Sequence, residues 1–373
     1  MQFLRSLQIS IISFSSGRST PLLNLALEHR NCGATDTRDK TFALCGLASD
    51  AGPESLGVNI DYSITAQEVY KAFATAVLKT SSTLDLLSVP RLPIGQGLVD
   101  LPSWVPDWSA ASASIPLLHE AMQYGYLFAS NALKDIKPEF SLSNNGARLR
   151  LEGFIVDEII GVASLFLATL SSMVTISKVW NIPNRLCRRD KILLEWQRLV
   201  LHDPEGLYPS GETVFEAYMQ VLLASNPFQK YYQDCYIKFH HLRGIYVWLL
   251  KRYEVDPNSL FAKLRNGCIG AMAFLTKSFN KRLADKHEVR SFVDTLEHLI
   301  AGRQPFKTKE GYLGLGPIEV RPGNVIALVK GARVPLILRS LSLQWELVGD
   351  AYGHGMMQGE LFDADLCKTL WID

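Results

Sequence analysis

The chain has 373 residues, 47% of them hydrophobic, and sets 38 Lys and Arg against 37 Asp and Glu. That length supports a sizeable core, in two domains or in one with a large insertion. The balanced charge removes the electrostatic basis for a nucleic-acid partner or an anionic membrane.

Along the chain, "MQFLRSLQISIISFSS" carries one early Arg and a short apolar run. It alternates polar and apolar from Leu7 to Ile11 and lacks a small-residue cleavage site, so it reads as a strand or a disordered start, not a signal peptide. "LLNLALEH" predicts a helix that runs into a polar loop holding Asp36, Arg38, Asp39 and Lys40, followed by a second short helix. In "IDYSITAQEVYKAFA", Ser63 or Thr65 can cap a helix with Glu68 in its first turn, and Val69, Phe73, Ala76 and Val77 form an apolar stripe.

"LPSWVPDWS", Leu101 to Ser109, cannot be helical, because Pro102 and Pro106 bias the residues before them to extended geometry. The second proline predicts a turn at Pro106-Asp107. That turn would bring Trp104 and Trp108 together or press both onto one neighbour, as a clamp pinning the loop to the core. An exposed aromatic face for a partner is the competing reading. "RLRLEGFIVDEIIGVAS" alternates from Leu149 after the turn signal Asn144-Asn145-Gly146 and reads as strand. The uncharged run from Ile159 to Ile176 is long enough for a bilayer, but its five Ser/Thr residues and a Gly favour buried helix or paired strands.

From about 178 to 302 the periodicity is helical, with Trp196, Leu199 and Val200 on a core stripe. From 303 to 373 short strands and tight turns predict a small barrel or sandwich: "RPGN" is turn chemistry, and "VIALVKGARVPLILR" is two strands around Lys330-Gly331-Ala332.

Motifs for chemistry are sparse. "GYLGLGP", Gly311 to Pro317, has the wrong glycine spacing for a dinucleotide loop and a proline where a helix should open. "GHGMMQGE", Gly353 to Glu360, has one residue too many between its second and third glycines and no helix signal after it, and both read as β-turns. The six cysteines form no CxxC pair, and His240-His241 would point to different helix faces. No metal or cofactor is therefore expected, and the thiols read as reduced and intracellular. Asp36, Arg38 and Asp39 could orient a substrate, but a capping ion-pair network is the favoured role. Asp107 could serve as a base, though no titratable neighbour in sequence would tune it.

Seven segments in order, "ATDTRDKTFALCGLA", "IDYSITAQEVYKAFA", "LPSWVPDWS", "LRLEGFIVDEI", "GYLGLGP", "RPGNVIALVKGARVPLILR" and "WELVGDAYGHGMMQGE", resemble fungal heterokaryon incompatibility (HET-domain) proteins. The resemblance implies an α+β chain: a partial α/β (TIR-like) HET portion over 21–177, a helical variable region over 178–302 and a C-terminal β-rich unit over 303–373, after an unmatched segment, 1–20. It implies a cytoplasmic protein of filamentous fungi, concerned with self/non-self recognition and cell death. Such a protein would act through protein partners or self-association, without catalytic or cofactor-binding residues. A TIR-like NAD hydrolase using Asp107 is the alternative. The motif positions carrying a structural or interaction role are Asp36, Arg38, Asp39, Lys40, Asp61, Tyr62, Trp104, Pro106, Asp107, Trp108, Gly311, Tyr312, Gly314, Gly355 and Glu360. The strands that normally precede the Asp-x-Arg-Asp-Lys motif have no counterpart in "MQFLRSLQISIISFSSGRST", and Asn324 stands where an Asp is common. The chain therefore reads as a truncated or degenerate member, or as the product of a mis-set start codon, and activity is not assumed for it.

Overall fold

The computed structural model describes residues 20–49, 60–81, 83–91, 97–109, 138–144, 146–163, 206–222, 302–342 and 344–373, with single positions at 117, 196, 199, 203 and 224. Three helices come first: α1 (Leu22–Glu28), α2 (Asp39–Cys45) and α3 (Ala66–Ser81), followed by a 3-10 turn at Asp85–Ser88. Thr65, not Ser63, caps α3. Its backbone N–H and hydroxyl donate to Glu68 Oε2 at 2.8 Å, and the Glu68 N–H donates to Thr65 Oγ1 at 3.3 Å, a reciprocal capping box. The expected stripe is buried: Val69, Phe73, Ala76 and Val77, joined by Tyr70.

A short β1 (Phe140–Leu142) pairs with the long β2 (Leu149–Val162). The turn between them closes with the Gly146 N–H on the Ser143 carbonyl, and Gly146 takes φ 64, which a residue without Cβ adopts freely. After α4 (Val214–Leu222) come β3 (Arg303–Thr308), β4 (Leu313–Pro317), β5 (Val325–Val329), β6 (Leu336–Leu341), β7 (Gln344–Asp350), β8 (Tyr352–Gly353) and β9 (Lys368–Ile372).

Five of these strands close into a ring. β2 pairs with β9 over Leu149 to Gly153 and with β5 over Gly153 to Glu158. β5 pairs with β6, β6 with β7, and β7 meets β9 at the parallel pair Trp345 and Ile372. β2 changes partner along its length because the register slips between Ile155 and Asp157 and again between Ile159 and Gly161; beyond Ile159 it pairs with β3. Such slips bend a strand and turn one sheet into the next. Gly153 pairs with both β5 and β9, and a Cβ there would lie 2.5 Å from the Leu328 carbonyl oxygen of β5. The sheet thus crosses residue 177 and joins 149–162 to 303–372.

One face of every ring strand contributes to a single core: Leu149 and Leu151, Ala327 and Val329, Leu336 and Leu338, Leu347, Leu370 and Ile372. A closed ring can gather those faces only by turning them inward. The same core continues into α1, α2 and α3 and takes in Trp104 and Trp108. The opposite face packs Ile326, Ile337 and Val348 with Phe306 and Met356, and α4 lies against β4 through Phe215 and Tyr218.

The chain is therefore α+β with a strand-rich C-terminal region. Among the described residues no strand precedes Phe140, so the expected α/β portion consists there of helices. Two local expectations are corrected. "LGLGP" is strand β4, because its glycines lie against Phe306 and Val320; only Gly311, at φ 94, turns the chain. The turn in "LPSWVPDWS" falls at Pro102–Val105, closed by the Val105 N–H on the Pro102 carbonyl, not at Pro106-Asp107. Of the run from Ile159 to Ile176, the first residues complete β2 and those beyond 163 lie outside the described residues, as do His240 and His241. No helix among the described residues is long and apolar enough to cross a membrane.

Candidate functional site

The motif residues gather in two places, the first being the junction of helices and ring. Arg38 leads into α2 and turns its guanidinium onto Asp36, with Nε 3.0 Å from Oδ1 and Nη2 2.6 Å from Oδ2. Those hydrogen bonds hold the Asp36 carboxyl down to about 2. Arg38 Nη1 donates to the carbonyls of Tyr62, at 2.6 Å, and Ile64, at 2.9 Å, and its plane lies 5.2 Å over the Tyr62 ring. The Tyr62 hydroxyl donates to Asp39 Oδ1 at 2.6 Å. Asp61 turns its own loop by accepting from the Ser63 N–H, and Lys40 donates to the carbonyls of Arg30 and Cys32. The Tyr70 hydroxyl, whose pKa burial pushes well up, donates to the Thr37 carbonyl. An exposed ion pair alone contributes little. Here one guanidinium ties the start of α2 to the segment entering α3 through four acceptors, which neutral side chains could not do.

The Trp-Val-Pro-Asp-Trp loop fastens these helices to the ring. Ser103 accepts the Leu347 N–H of β7 on its hydroxyl and donates both its N–H and its O–H to the Asp373 carbonyl. Trp104, 0% exposed, donates its indole N–H to the Ala147 carbonyl at 3.2 Å. Trp108, 1% exposed, sets its ring edge-on to Phe73 with centroids 5.7 Å apart, and the Arg30 guanidinium lies 5.3 Å over the indole. The two indoles thus find different neighbours within one core. Pro106 is buried between them. Asp107, 6% exposed, accepts the N–H groups of Leu98, at 2.6 Å, and Ser109, at 2.8 Å. Among the described residues this carboxylate is spent on the loop's own N–H groups, which does not favour the hydrolase reading.

The second place lies on β4 and β8. Gly314 pairs with Gly353, and a Cβ on Gly314 would stand 2.2 Å from Phe306 Cζ. Gly355, at φ 80, approaches Tyr312 and Ser210. Tyr312 meets Tyr208 edge-on at 6.2 Å. Beside them His354 links Glu212, through Nε2, to the Tyr352 hydroxyl, 2.9 Å from Nδ1. The Tyr208 hydroxyl donates to the His354 carbonyl and accepts the Leu313 N–H. Glu360 stands apart and caps the Gln358 N–H.

Sequence reading missed Arg30, Arg91, Glu212 and His354. Arg30 and Arg91 are lone arginines beside apolar segments, and Glu212 finds its histidine 142 residues away, so no local pattern marks them. Among the described residues no His, Cys, Asp or Glu group could hold a metal ion.

The ring of strands has a counterpart among known families. Residues 217–372 match the family described as the Het-6 beta-barrel domain. Heterokaryon incompatibility protein 6, OR allele, of Neurospora crassa is 25% identical over 365 residues, which cover 88% of this chain and 49% of that protein. The chain is thus similar to heterokaryon incompatibility (HET) proteins. It spans about half the length of this HET-family relative. No solved structure matches it. The barrel match begins inside α4 and ends at Ile372, so β1, β2 and the helices before them lie outside it, although β2 pairs with three strands within it. The Trp-Val-Pro-Asp-Trp loop of this chain is therefore the fastening between a barrel and the helices upstream.

Proposed function

We propose that this chain acts in fungal heterokaryon incompatibility, in the cytoplasm, by contact with protein partners or with its own copies, and that cell death follows from that contact and not from catalysis. One observation carries the reading. The motif side chains with acid–base or recognition chemistry, Asp36, Arg38, Asp39 and Asp107, donate to and accept from the chain's own backbone and from one another. They stiffen a scaffold, and a stiff scaffold loses little conformational freedom on docking. The likeness to the Neurospora protein supplies the biological setting.

Expression of the chain in a filamentous fungus, with hyphal viability scored after fusion, tests this reading. Arrest or death of fused cells is the expected result. Fused cells that stay viable while a full-length relative kills them would sink it. Release of nicotinamide when the pure chain is incubated with NAD would replace it with the hydrolase alternative.

A further inference from the structure

Two arginines from separate segments reach the same loop. Arg30 follows α1, and Arg91 follows the 3-10 turn Asp85–Ser88. Each spends one terminal nitrogen on a loop carbonyl: Arg30 Nη2 on that of Asp107, at 3.0 Å, and Arg91 Nη2 on that of Trp104, at 3.3 Å. The remaining nitrogens, Nε and Nη1 of both residues, are buried without a hydrogen-bond partner among the described residues, and so is Trp108 Nε1. Arg30 is 5% exposed and lies over that same indole. The three side chains thus bring five unpaired donor nitrogens to one short stretch of chain.

Among the described residues, the neighbouring carboxylates Asp107 and Asp350 are already engaged. Asp107 accepts from Leu98 and Ser109, and Asp350 accepts from Arg303 and from the Leu117 N–H. Burial pulls Arg30 down to about 10 and Arg91 down to about 9, the latter pressed further by the charge of Arg30. Both stay cationic at neutral pH. Buried guanidinium N–H groups without acceptors are costly, so native proteins pair them. What these groups lack is a compact acceptor rich in oxygen. Five donor nitrogens exceed the roughly four lone-pair sites of a carboxylate, whereas a phosphate offers three or four oxygens matched to the Arg fork.

We propose that Arg30, Arg91 and Trp108 form an inner binding site for a phosphate-type oxyanion, free or carried as a small organic monoester, that fastens the helices to the barrel. The site goes beyond the incompatibility reading and is tested on the pure chain, without a fungal host.

The melting temperature and tryptophan fluorescence of the full chain are followed with inorganic phosphate at up to about 5 mM, too dilute for general salting effects, with ionic strength held by chloride. The expected result is a saturable rise of several degrees and a fluorescence change that saturates at the same concentration. Arg91→Lys keeps the charge and loses the fork, and it is expected to weaken binding by about tenfold or more. Trp108→Phe, which removes one donor and keeps a ring, is expected to weaken binding a few-fold; it decides the matter if Arg91→Lys does not fold. Glycerol phosphate as effective as inorganic phosphate assigns the site to a monoester, and no response to it assigns the site to the free ion. A response no larger than that to chloride overturns the proposal. So does acetate acting as strongly as phosphate, or unchanged affinity in the folded variants.

Discussion

Arg303 and Asp350 form an ion pair at 2.7 Å with both side chains almost wholly buried, 2% and 3% exposed, and Asp350 also accepts the Leu117 N–H. The attraction within such a pair barely repays the loss of water, so its weight appears only when one partner goes. Asp350→Ala leaves a buried guanidinium uncompensated and is expected to cost about 3–5 kcal/mol, read as a lower urea midpoint. Replacing both residues together, Arg303→Met with Asp350→Leu, should recover most of that loss. Neither residue stood out in the sequence. Arg303 opens a strand and Asp350 closes another 47 residues later, and no local pattern distinguishes a buried pair from two surface charges.

The elements divide by how local their causes are. α3 was legible because stripe, capping box and first-turn Glu68 lie within one short segment, and only the choice between Ser63 and Thr65 needed geometry. The turns at Asn144–Gly146, Pro322-Gly323 and Lys330–Ala332 were legible for the same reason. β4 was not. Its Gly-x-Gly looks like turn chemistry, yet Gly314 is glycine because the Phe306 ring and the Tyr352 carbonyl oxygen, 2.3 Å from any added Cβ, occupy the space. Gly314→Ala should cost about 1–3 kcal/mol or more by overpacking, measured by urea unfolding. Gly33→Ala, where nothing stands within 4 Å, should leave the midpoint unchanged. Shortening the ring with Phe306→Leu is expected to rescue Gly314→Ala only in part, because the backbone oxygen stays.

At the scale of the whole molecule, β9 closes the ring between β2 and β7, and Asp373 beside it holds Ser103 of the Trp-Val-Pro-Asp-Trp loop. Barrel and helices then unfold as one unit, since they share a core. Deleting residues 368–373 should abolish the near-UV circular dichroism of the packed indoles and expose the edges of β2 and β7, with aggregation as the visible outcome. Retention of a single cooperative transition by the shortened chain would count against this coupling. The sequence by itself determined the α+β class, the face of α3 that is buried, most tight turns and the strand-rich C-terminal region, because periodicity and turn chemistry act over a few neighbouring residues. Only the tertiary structure decided that β2 belongs to the barrel, that Trp104 and Trp108 seal a junction, and that Arg30 and Arg91 meet at one loop. Their partners lie tens to hundreds of residues away, and an alternating pattern reports that a face is buried without naming what buries it.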